Sequence, residues 1–127
     1  MKTLGAVGGL VLLVAAGCGS DDGAPEEDPE RPGLEETVRA YSADFLAGDA
    51  AAAYARLSER CRGELTEEVF SGTVADAAAA YGDAEITEYD HELDGDQAKV
   101  TYEYSDPAIN QTDDPWVYED DAWHKDC

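Results

Sequence analysis

The sequence predicts an α+β fold in which N-terminal helices pack on a curved antiparallel sheet, and three observations carry that expectation. From Leu34 the apolar residues recur at helical spacing, after Asp83 they alternate with a period of two, and the two patterns are segregated along the chain. Segregated helices and strands bury their apolar faces on one another, with one helix lying across the sheet. The predicted domain spans residues 34–127, preceded by a signal peptide at residues 1–17 and by a cysteine with a disordered acidic Pro/Gly linker at residues 18–33.

The leader comes first. It holds Lys2, an uncharged apolar run over residues 4–16, then Gly17 and Cys18. Lys2 supplies a positive n-region, the run an h-region, and Ala15, Ala16 and Gly17 suit the narrow subsites of a signal peptidase. The run falls short of the about 20 apolar residues that cross a bilayer, which predicts removal after export. An uncleaved anchor, or secretion with Cys18 left over, is the alternative. Val14-Ala15-Ala16-Gly17-Cys18 resembles the lipobox of bacterial lipoproteins, whose cysteine thiol is diacylglycerylated before cleavage leaves that cysteine first. The resemblance implies lipidation at Cys18, the lipid bilayer as a partner, and a place on the extracytoplasmic face of the cell membrane.

Charge narrows the partners. There are 30 acidic residues against 8 basic ones, for a formal net charge of −22, and Lys2 leaves with the leader. Phosphate backbones and anionic head groups both repel such a chain, which excludes nucleic acid and leaves membrane attachment to the lipid. One acyl chain binds marginally, at about 0.8 kcal/mol per buried CH₂, whereas two or three anchor durably. With Cys18 assigned to lipid, Cys61 and Cys127 remain as an even pair in an oxidising compartment and are expected to form a disulfide. Closing so long a loop contributes about 4 kcal/mol. The alternative is two reduced thiols or a metal pair, for which no further ligand stands at metal-site spacing. Residues 19–33 carry Pro25, Pro29, Pro32 and six carboxylates against Arg31, with no large apolar residue. Such a segment cannot offset its chain entropy by burial and reads as a self-repelling tether with a reach of about 45 Å.

Within the domain, Leu34, Val38, Tyr41 and Phe45 form the apolar stripe of a first helix, ended at Gly48. Asp49 caps a second helix with a stripe of Ala50, Ala53, Tyr54, Leu57 and Cys61, stopped by Gly63. Thr66 caps a short third piece with Val69 and Phe70, and an alanine-rich helix follows from about Val74 to Tyr81, where Gly82 stops it. Residues 86–93 and 97–104 read as a hairpin about Asp94-Gly95, with Ala98, Val100, Tyr102 and Tyr104 on one face. Residues 105–115 are polar, with two prolines, and read as a long connection. Trp116-Val117-Tyr118 and residues 123–127 then flank a turn at Glu119-Asp120-Asp121.

This layout resembles the NTF2-like superfamily, in particular small actinobacterial lipoproteins of that kind. The residues that carry the resemblance are Phe45-Leu46-Ala47-Gly48-Asp49, the alanine-rich helix to Leu57-Ser58, Asp94-Gly95-Asp96-Gln97-Ala98-Lys99-Val100, and Glu119-Asp120-Asp121-Ala122-Trp123-His124. The similarity spans residues 34–127 and consists of turns and spacings, without a catalytic signature. It implies a cystatin-like α+β cone whose bent sheet wraps a long helix and leaves a pocket. The family's last hairpin has Asp-Gly before the tryptophan; Asp121 and Ala122 stand there here, which leaves the turn type open.

The superfamily includes ketosteroid isomerase, where an aspartate base, a tyrosine and a protonated acid act in an apolar cone. Tyr41, Asp44, Tyr54, His91 and Tyr102 are the candidates for such chemistry, and Tyr41, Phe45, Tyr54, Tyr102 and Trp116 are the candidate pocket residues. Tyr41 and Tyr102 equally suit core aromatics whose hydroxyls reach the rim. The leading expectation is therefore a non-catalytic module that binds a small apolar molecule or an envelope protein. The alternative is an isomerase- or dehydratase-like enzyme with Asp44 or Asp90 as its pocket carboxylate, and a purely structural lipoprotein is the third. No cofactor motif is present. His91 and His124 read as surface histidines rather than a metal pair. Asp94, Asp96, Asp113, Asp114 and the run from Glu119 read as turn residues, since EF-hand spacing is absent. Asn110-Gln111-Thr112 is a chance sequon in a bacterial lipoprotein, and no Gly-x-Ser-x-Gly elbow supports a nucleophilic serine.

Overall fold

A computed structural model describes Arg31 and residues 33–127. The leader, Cys18 and nearly all of the linker lie outside the described residues. The elements are α1 (Leu34–Leu46), α2 (Ala50–Ala55), α3 (Glu59–Glu64), α4 (Glu67–Tyr81), β1 (Ile86–Asp94), β2 (Gln97–Tyr104), a 3₁₀ turn (Pro107–Ile109), β3 (Gln111–Glu119) and β4 (Ala122–Lys125). The strands form an antiparallel meander in the order β1-β2-β3-β4, and the helices pack on it, as the segregated patterns predict.

Local chemistry accounts for most boundaries. In α1, Leu34, Val38 and Tyr41 are buried, while Glu35 and Glu36 sit in the first turn, where the helix dipole favours them. Gly48 follows the helix at φ +84, a conformation glycine adopts without steric cost. Asp49 then caps α2, its carboxylate accepting from the Ala52 N–H at 3.2 Å.

The second helix departs from its expected length. It breaks at Leu57-Ser58, because the far end of the chain competes for its backbone groups. Ser58 N–H donates to Lys125 O at 2.7 Å and Lys125 N–H donates to Arg56 O at 2.9 Å, which makes a short parallel bridge at Leu57. Ser58 restarts the helix by accepting from Cys61 N–H at 3.0 Å, so a residue that reads as helix interior is the N-cap of α3. In the opposite sense, the expected third piece and alanine helix are one continuous α4. Thr66 caps it, Gly72 is its only internal glycine, and one such residue costs only about 1 kcal/mol.

The connection expected over residues 105–115 is shorter than predicted, since β3 already begins at Gln111. The last turn, left open by the sequence, places Asp120 and Asp121 at φ 54 and 64. Two successive positive φ values are the type I′ pattern that matches strand twist, and aspartate tolerates it. Two bulges bend the sheet. Register slips between Ile86 and Glu88 on β1, and again where Val100 faces Asp114 while Tyr102 faces Gln111. Asp113, the extra residue of the second bulge, sits at φ 53. A disulfide joins Cys61 of α3 to Cys127, with Cα atoms 5.2 Å apart.

Candidate functional site

The bend in the sheet opens a cavity of about 170 Å³ between α1, α4 and β2. Successive turns of α1 bring Tyr41, Ser42, Phe45 and Leu46 to it, and the alanine run of α4 contributes Ala77, whose small side chain leaves the space unfilled. Tyr102 and Tyr104, two apart on β2 and therefore on one face, form the opposite wall. Ile109, Gln111 and Lys125 complete the lining. Four larger hollows lie elsewhere among the described residues, including one of about 410 Å³ beside Thr37, Arg56 and His124 and one of about 350 Å³ beside Arg39 and Ile86. A second of about 350 Å³ lies around the end of α4, and another of about 360 Å³ lies beside Arg60, Leu93 and Trp116.

The polar groups around the cavity are nearly all paired. Tyr104 Oη and Ser42 Oγ lie 2.6 Å apart. Gln111 donates its amide to Ile109 O at 3.1 Å. Behind Tyr102 lies Asp114, 7% exposed, which accepts from the Tyr102 hydroxyl at 3.0 Å and from Trp116 Nε1 at 3.3 Å. Lys125 Nζ reaches its other oxygen at 3.1 Å and also donates to Asp126 O at 2.6 Å. The bulge explains this gathering. Gln111 and Asp114, three apart on a regular strand, would face opposite ways, and the extra residue at Asp113 turns both inward beside Tyr102.

Tyr41 is the exception. It is 7% exposed, its ring meets Trp116 edge-on at a centroid distance of 5.7 Å, and its hydroxyl has no hydrogen-bond partner among the described residues. Burial pushes the Tyr41 hydroxyl far above the ordinary tyrosine range, and the negative charge of Asp114 adds to the effect. The same two causes, in the same order, raise Tyr102 further still. Tyr104 is raised by burial, against the hydrogen bond from Ser42, which lowers it. All three are neutral hydroxyls at physiological pH.

The residues singled out in the sequence are distributed as follows. Tyr41, Phe45 and Tyr102 line the cavity. Trp116 packs behind Tyr41 and faces the hollow beside Arg60. Tyr54 points to a different part of the core, donating to Arg62 O and Leu65 O with its ring against Phe70. Of the carboxylates proposed for chemistry, Asp44 is bound to Arg56 at 2.9 Å and Asp90 is exposed, and neither lines the cavity. The buried acid is Asp114, which reads as a turn residue in the sequence; only its neighbour Asp113 has turn geometry. His91 and His124 lie on β1 and β4, the two edges of the sheet, and no group of three or more metal-ligating side chains occurs among the described residues.

No protein-family profile matches the chain, and no curated protein matches it in sequence. The fold is similar to the 2.00 Å crystal structure of a Campylobacter jejuni protein provisionally named an NTF2-like transpeptidase, with a TM-score of 0.57 and 17% identity over 76% of this chain and 99% of that one. At that identity the likeness establishes the fold and carries no activity with it.

Proposed function

We propose, taking the NTF2-like fold as the premise, that this is an extracytoplasmic domain tethered to the cell membrane through acylated Cys18, and that its cavity binds a small molecule without transforming it. The carrying observation is the cavity between α1, α4 and β2, lined by aromatic and aliphatic side chains with a few converging polar groups. Its volume is close to the about 150 Å³ of a dry cavity that holds benzene. Binding is favoured over isomerase-type chemistry because no carboxylate lines the cavity, and Asp114 behind it already has three partners. The leader's lipobox-like Val14-Ala15-Ala16-Gly17-Cys18 is what supports the membrane reading. At the entry to the domain, Arg31 is held against the sheet by the Trp123 indole, which donates to Arg31 O at 3.0 Å, and by Asp96. That contact is at the opposite end of β2 from Tyr104. No helix among the described residues is long and apolar enough to cross a membrane.

Ala77→Phe tests the binding reading by filling the cavity from α4. Ethylbenzene, a one-ring probe, is expected to bind the parent and to lose more than about tenfold in affinity in the variant, consistent with the area a single ring buries. Undiminished binding in a folded Ala77→Phe protein would contradict it.

A further inference from the structure

Tyr41 is left with an unmet requirement. Tyr41 lines the cavity, is 7% exposed, and has no hydrogen-bond partner for its hydroxyl among the described residues, while Tyr102, Tyr104, Ser42, Gln111 and Lys125 around it are all engaged. A buried polar group without a hydrogen bond is a standing cost to the fold, and folded proteins tolerate few of them. A phenolic hydroxyl is a strong donor and a weak acceptor, so the missing partner is an acceptor.

The walls restrict its charge. A cationic ligand meets the Lys125 ammonium in the lining. An anionic one meets the field of Asp114, which reaches the Tyr41 hydroxyl strongly enough to help hold its proton. With volume for one substituted ring, the apolar part of the ligand lies against Phe45, Leu46 and Ile109.

We propose that Tyr41 selects the ligand, and that the ligand is a small neutral molecule of about one ring that presents a carbonyl-type oxygen to the Tyr41 hydroxyl. This rests on the cavity-binding reading above and narrows it to a ligand class. Acetophenone and ethylbenzene have nearly the same shape and differ in the carbonyl, so they separate the two ideas. Titrated into the full chain with its disulfide formed, both are followed through the Trp116 indole N–H resonance, whose ring adjoins Tyr41.

Acetophenone is expected to bind about tenfold more tightly than ethylbenzene, and Tyr41→Phe to erase that preference. Without ligand, Tyr41→Phe is expected to melt no lower than the parent, since it removes an unpaired group. Equal binding of the two compounds by the parent, or a preference that survives in Tyr41→Phe, overturns the role of Tyr41 and leaves the cavity reading standing. A Tyr41→Phe protein that melts far below the parent also overturns it, by showing that the hydroxyl has a partner in the fold. Benzoate binding as tightly as acetophenone overturns the neutral class. Failure of both acetophenone and ethylbenzene to bind the parent removes the inference together with the reading on which it rests.

Discussion

Asp114 shows how much a single buried charge decides in this domain. Its carboxylate joins β3 to β4 through Lys125 and holds Tyr102 and Trp116 in place. Removing one member of such a pair leaves the other charge uncompensated, so Asp114→Ala is expected to destabilise the protein by about 3 kcal/mol, read as a lower urea midpoint. A loss within a few tenths of a kcal/mol would mean that the pair is solvated rather than structural. The tyrosines give a second prediction at this scale. Tyr41, Tyr102 and Tyr104 have folded pKa values raised above the unfolded value of about 10, chiefly by burial. Their contribution to stability is therefore complete below that value and declines as pH rises through and beyond it, where the unfolded chain loses protons that the folded chain retains. Ultraviolet titration should show these three of the seven tyrosines ionising only as the fold is lost. Reversible ionisation of all seven in the folded protein would contradict that.

Among the elements, the C-terminal segment has the widest reach. Lys125 bridges to Leu57, Asp126 is bound by Ser58 Oγ at 2.7 Å and Arg60 at 2.9 Å, and Cys127 is bonded to Cys61. The segment thus holds the break between α2 and α3 and places the Lys125 ammonium beside the cavity. Cys61→Ala is expected to cost about 4 kcal/mol, from freeing a loop with a sequence separation of 66, and to weaken ethylbenzene binding as Lys125 loosens. Thermal melts and titrations on parent and variant check both effects; a variant as stable as the parent would remove the clasp from this account. The same segment shows what sequence reading reaches. The stripe of α1, the Asp49 cap and the Asp94-Gly95 hairpin follow from neighbouring residues and were legible. Ser58 as a cap and Asp114 as a buried acid were not, because each depends on a partner brought in from elsewhere, the terminal strand for Ser58 and a bulge against β2 for Asp114. Tyr41 and Tyr102 could be placed on apolar faces from their spacing. That one hydroxyl is paired and the other unpaired is decided only by the packed fold.

For the whole molecule, the acidic charge, the leader and the cone combine into one proposal, a ligand-binding domain held at a membrane that its charge alone would avoid. Arg31 docks on Asp96 and Trp123, at the opposite end of β2 from the cavity-lining Tyr104. The decisive experiment is native mass spectrometry on the protein extracted gently from its own membranes and weighed before and after unfolding. The expected result is a chain that begins at Cys18, carries acyl mass on that residue, and loses a discrete small-molecule adduct when it unfolds. A bare folded protein without adduct, or a Cys18 without lipid, would contradict the corresponding half of the proposal.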